Sequence, residues 1–148
     1  MRVFFLSRRR LLLCIFLLLA AVVVAALCLR PSHTAQKTAA DNAQRVAYLE
    51  ELGWQVETEP IETLRMTLPD DLSADYAEYL ALQKAQDFPF ASYAGQEICR
   101  TTYRITNYPG GRADAQVNLL QCGDAVIGGD VVLLGENGGQ FPLTYPAT

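Results

Sequence analysis

The sequence predicts an α+β fold: two helices packed on a four- to five-stranded antiparallel sheet, preceded by one N-terminal transmembrane helix. Three observations predict it. Residues 11–29 form an unbroken apolar run of nineteen. Two later stretches repeat apolar side chains at three- and four-residue spacing, the period of a helix with one buried face. Three β-type runs near the C-terminus are joined by Asn, Asp, Pro and Gly, the residues of tight turns.

The N-terminal elements follow from length and flanking charge. Residues 1–10 read as a cytoplasmic basic tail, 11–29 as a transmembrane signal anchor, 30–40 as a linker and 41–148 as an extracytoplasmic domain. At about 1.5 Å per residue the apolar run reaches ~28 Å, close to the ~30 Å hydrocarbon core of a bilayer. Arg2, Arg8, Arg9 and Arg10 precede it, and only Arg30 and Lys37 lie in the fifteen residues after it. This asymmetry predicts a single-pass cell-membrane protein with its N-terminus in the cytoplasm. A cleaved signal peptide has a shorter apolar core, about 7 to 15 residues. Lipidation at Cys28 would need a small residue before it, where Leu27 stands. The small and polar linker extends at most ~35 Å, which keeps the domain, and any protein or peptide it engages, beside the bilayer.

Within the outer domain Asp41 is placed to cap a helix, with Gln44 three residues on and Val46, Tyr48, Leu49 and Leu52 along one side. Gly53 ends it in the left-handed conformation, and Trp54 packs back on Leu49. Val56 and then Ile61, Leu64, Met66 and Leu68 predict one or two short strands broken by Pro60. Leu72, Tyr76, Tyr79, Leu80 and Gln83 predict a second helix, with both tyrosines in the core. Phe88-Pro89-Phe90 stops it and Gly95 closes a short loop. Glu97–Thr106, Ala115–Cys122 and Val126–Leu134 then form a meander, turning at Asn107–Gly111 and at Gly123-Asp124.

Composition narrows function by exclusion. Residues 31–148 hold seven Lys/Arg against sixteen Asp/Glu, net −9, the wrong sign for a nucleic-acid binder. The single histidine, His33, lies in the linker, so Ser-His-Asp, Cys-His and His-based metal sites lack their base or ligands, and no catalytic residue, metal or cofactor is expected. Asp70, Asp71 and Asp75 lack the glycine and bidentate glutamate of a calcium loop and read as a solvated helix start.

Cys14 and Cys28 fall in the apolar segment, which leaves Cys99 and Cys122 as the pair open to a disulfide. Two rules conflict over it. A hairpin whose paired residue numbers sum to 221 sets Cys99 opposite Cys122, whereas keeping Tyr103 and Ile105 on one face with Val117 and Leu119 needs an even sum. Only a bulge satisfies both. Gly110-Gly111 and Gly138-Gly139 read as turns. Gly128-Gly129 instead interrupts a strand, which marks a bulge or a close backbone approach, and Asp130 follows it. If that strand is an edge, it accepts a partner strand.

Leu52-Gly53-Trp54-Gln55-Val56, Pro60, Leu82-Gln83-Lys84, Tyr93-Ala94-Gly95, Asn107-Tyr108-Pro109 and Val126-Ile127-Gly128-Gly129-Asp130 occur in this order. Over about Gln44 to Val132 the chain resembles an uncharacterised bacterial family, domain of unknown function 4830. The resemblance implies a membrane-anchored extracytoplasmic domain and carries over no activity or site residue. Asp87 stands where the resemblance implies glycine.

These readings converge on a non-enzymatic extracytoplasmic interaction or sensing module that binds a membrane-proximal protein or peptide through Tyr108, Gly128, Gly129 and Asp130. The alternative is a carboxylate-dependent hydrolase of cell-envelope glycans, a chemistry that needs two acids and no histidine.

Overall fold

The computed structural model describes residues 36–144 apart from Ala74 and Asn137. The tail and the transmembrane anchor expected over residues 1–29 lie outside the described residues. Among those described, no helix is long and apolar enough to cross a membrane.

The elements run α1 (Asn42–Glu51), β1 (Glu62–Thr67), α2 (Ala77–Ala85), a 3-10 turn (Phe90–Tyr93), β2 (Glu97–Arg104), β3 (Ala115–Cys122), β4 (Ala125–Leu133) and β5 (Gly139–Pro142). The five strands form one antiparallel sheet in sequence order, so the predicted α+β class and meander hold. The fifth strand, which no sequence run had marked, is the short β5.

Local chemistry sets the ends of α1. The Asp41 carboxylate accepts from Gln44 N–H at 2.8 Å, and the Gln44 side chain reaches back to Ala40 N–H at 2.8 Å. At the other end Gly53 has φ 95°, Trp54 N–H bonds Leu49 C=O at 3.0 Å, and Gly53 N–H bonds Glu50 C=O at 2.9 Å. This is a complete Schellman stop. α2 ends the same way, with Asp87 at φ 60° in the position that favours glycine. α2 starts later than its spacing predicts. Asp71 accepts from both the Ser73 N–H and hydroxyl, a local turn that holds the buried Leu72 outside the helix. Val56 makes only an isolated bridge to Ile105 and begins no strand.

The sheet separates two cores. Leu119 packs with Leu49, Trp54, Tyr103 and Val117, on the α1 side. Leu120, its neighbour on β3, packs with Ile98, Ile127 and Phe90, on the α2 side. Consecutive strand residues point to opposite faces, so the helices lie on opposite sides of the sheet. β3 and β4 slip register between Leu120 and Gln121, which makes Ile127 a bulge residue just before the glycine pair, as the interrupted strand predicts.

Two expectations are corrected. Cys99 stands opposite Gln121, an even register sum, so Cys122 falls on the other face and both thiols are free. The apolar pattern decided the register, because burying Tyr103, Val117 and Leu119 together outweighs one cysteine pairing. The linker also ends earlier than Ala40. Thr38 bridges Ala125, Ala39 is buried and bonded to Asp124 C=O, and Lys37 pairs with Glu51 at 2.6 Å.

Candidate functional site

The register builds a row of side chains across the sheet. Glu62, Thr102, Asn118, Asp130 and Pro142 stand directly opposite one another on β1 to β5. A parallel row holds Arg104, Gln116, Val132 and Gln140. Both share the face of Leu120 and therefore of α2. The helix and the 3-10 turn cover only the apolar end of that face, around Ile98, Leu120 and Ile127. The polar end stays open as a depression of about 440 Å³, and a second of about 340 Å³ runs from it toward Ile98, Leu120 and Phe90 beside α2; Arg100 and Asn118 line both.

Asp130 anchors this end. It is 1% exposed, and its carboxylate accepts from the Tyr79 hydroxyl at 2.9 Å, the Asn118 amide at 3.1 Å and the Gln140 amide at 3.0 Å. Asn118 in turn accepts from the Thr102 hydroxyl at 2.7 Å. Three donors offset the desolvation of a buried carboxylate, which is why a charge is tolerated here. Burial, and then the Asp130 charge, push the Tyr79 hydroxyl far above its ordinary range, so it stays a donor. Arg100 donates to Glu62 at 2.7 Å, while its buried Nε has no hydrogen-bond partner among the described residues. Asp75 lines the same depression as Asp130. Both Asp130 oxygens are engaged, which suits it to orient its neighbours rather than to pass a proton.

The four sequence-predicted site residues are not brought together. Asp130 is in the polar row, but Tyr108 belongs to the opposite face, where its ring stacks on Trp54 with centroids 6.0 Å apart. Gly128 and Gly129 are buried. A side-chain carbon at Gly128 would stand 2.8 Å from the Gln83 amide oxygen, and one at Gly129 would stand 2.7 Å from Leu143 and 2.9 Å from the Asn118 carbonyl. The close approach expected of this pair is therefore real.

The open strand edge expected there is not. β5 pairs with Asp130–Leu133, and residues 37–39 cover the start of β4. Between them the Gln83 amide bonds both the N–H and the C=O of Gly129, each at 3.0 Å, as a neighbouring strand would. Sequence reasoning placed Gln83 on the packed face of its helix without its role, and missed Asn118, Thr102, Gln116 and Gln140. For Thr102, Gln116 and Asn118 the one signal was polar alternation in β2 and β3, the pattern of an ordinary solvated sheet face.

The family model described as Domain of unknown function (DUF4830) matches residues 48–131, more than half of the chain. The chain belongs to this family. Comparison with curated proteins and with solved structures gives no match. Four of the segments that carry the DUF4830 resemblance meet in two pairs. Asn107 accepts from Gln55 N–H and donates to Gly53 C=O, both at 2.9 Å, so Asn-Tyr-Pro clamps the turn after α1. Gln83 of Leu-Gln-Lys clamps the glycine pair of Ile-Gly-Gly-Asp. In this chain these segments are structural locks, and Asp130 reaches the polar row.

Proposed function

We propose that this chain is a membrane-anchored interaction or sensing module, crossing the cell membrane once through residues 11–29 with its folded domain outside. Its binding surface is the polar end of the sheet face opposite α1. The observation that supports this reading most is the cross-strand row from Glu62 to Asp130, whose Glu62, Thr102 and Asn118 line a concave surface beyond the part of the face that α2 covers. A bonded polar array held on interior strands is positioned before any partner arrives, which lowers the ordering cost of binding. Because Gln83 and β5 occupy the β4 edge, a partner engages side chains on this face rather than adding a strand at Gly129. Asp75 beside Asp130 gives a glycan-hydrolase reading some footing, yet the three donors on Asp130 favour recognition over catalysis.

A photo-crosslinking residue placed at Gln116 in the full chain in membranes tests the surface, with Arg65, on the other face of the sheet, as control. Adducts from Gln116 alone are expected; no adduct, or equal adducts from both positions, overturns the reading. A reporter enzyme active only outside the cytoplasm, fused after Thr148, tests the orientation and is expected to be active.

A further inference from the structure

Resting on the reading of this face as the binding surface, we infer that its ligand is a neutral, hydroxyl-rich oligosaccharide.

The argument starts from the free hydrogen-bonding capacity. Among the described residues the Gln116 amide has no partner, so both its donors and its acceptor are available over the larger depression. Gln140 and Asn118 each spend one N–H on Asp130 and keep the other; the Gln140 oxygen is free among the described residues, whereas that of Asn118 accepts from Thr102. Donors and acceptors are thus interleaved within two residue rows. Hydroxyl groups donate and accept at once, and neighbouring hydroxyls on a sugar ring match a planar amide that does both.

Charge and backbone argue against the other ligand classes. On the floor of the face Glu62 is paired with Arg100, and both oxygens of Asp130 are already taken by Tyr79, Asn118 and Gln140, so neither acid is free to bind a cationic ligand group. β2, β3 and β4 each have a strand on both sides here, so an extended peptide lying over these three strands has no main-chain groups to pair with. Apolar surface for the C–H faces of sugar rings lies at both ends. Ile61 and Leu64 are exposed on the β1 side, and the half-buried Tyr76 lines the α2 side. The two depressions fall within the range of small-ligand sites and together suit a ligand of several linked rings.

Calorimetric titration of the full chain in a detergent without a sugar headgroup tests this, using chitotetraose, cellotetraose and maltotetraose, and a neutral Ser/Asn/Gly tetrapeptide as comparison. Saturable binding of at least one tetrasaccharide is expected. Gln116→Ala should weaken it about fivefold or more, the loss of one to two net hydrogen bonds. Because Gln116 has no protein partner, this variant should unfold at the same denaturant concentration, and Arg65→Ala should bind as the parent does. No saturable binding of any tetrasaccharide at millimolar concentration overturns the inference, as does binding unaffected by Gln116→Ala. If the tetrapeptide binds instead and Gln116→Ala weakens it, the oligosaccharide falls while the binding face stands. If neither ligand binds and crosslinking at Gln116 yields no adduct, the proposed surface falls with it.

Discussion

At the residue scale, Asp130 shows how a buried charge is held. Asp130→Ala would leave the Tyr79 hydroxyl and the Asn118 and Gln140 amides without their acceptor, and should cost about 1–3 kcal/mol in urea denaturation, with Asp130→Asn costing less. Three tyrosines, Tyr48, Tyr79 and Tyr103, are raised from their ordinary value near 10, in each case chiefly by burial. Once unfolded they ionise near pH 10, whereas the folded chain keeps their protons, so the native state binds more protons above that pH. Their contribution to stability is therefore full below pH 10 and declines as pH rises further. Tyrosinate absorbance followed with circular dichroism should show alkaline unfolding, and Tyr79→Phe should make the fall in stability with pH less steep. The carboxyl of Asp114 moves the opposite way, lowered mainly by its hydrogen bonds from Arg112 at 2.9 and 2.6 Å, so its contribution is lost as pH falls through its depressed value. Asp130 itself was legible as a candidate because it follows a glycine pair inside a strand. Its partners were not: helical spacing put Tyr79 on a buried face without saying what its hydroxyl meets, and nothing local to Asn118 or Gln140 distinguishes them from surface residues.

At the scale of elements, caps were read well and starts less well. Leu52-Gly53-Trp54 announces a helix stop by itself, because only a left-handed residue followed by an apolar one completes that motif. The stop of α2 is built identically around Asp87, and Asp87→Gly should stabilise the domain by about 0.5–1 kcal/mol, measured by denaturant midpoint, since glycine takes φ 60° without steric cost. The late start of α2 was hidden because Leu72 and Tyr76 have helical spacing while bordering an Asp71 turn. The junction of α2 with β4 makes a sharper prediction. Gln83→Ala removes both bonds to Gly129; Gln86 still reaches the carbonyl at 3.2 Å, but the N–H is left without its partner. The expected loss is about 2 kcal/mol by chemical denaturation. Gly129→Ala should also destabilise, by about 1–3 kcal/mol, because the Asn118 carbonyl is backbone and cannot give way.

For the molecule as a whole, the consequential difference lies in what the β2–β3 register did with its side chains. An even sum buries Tyr103, Ile105, Val117 and Leu119 with α1 and puts Thr102, Gln116 and Asn118 on the other face, where α2 leaves Gln116 and Asn118 partly exposed. The same choice separates Cys99 from Cys122, so alkylation of the unreduced, folded chain followed by peptide mass spectrometry should find both modified. Loss of either label through a mutual disulfide would contradict this register. Limited proteolysis should spare residues 37–39, which the strand start at Ala125 holds in place.

The sequence alone determined the kinds of element, most of their boundaries, the α+β class and the caps, because each follows from side chains a few residues apart. It also located the nineteen-residue apolar run and the acidic domain behind it. Only the tertiary structure decided that Gly128-Gly129 is shielded, that Tyr108 and Asp130 serve opposite faces, and that a polar row crosses the sheet. Those outcomes depend on register and on which face each helix covers, and both are fixed by burying side chains that are distant in the chain.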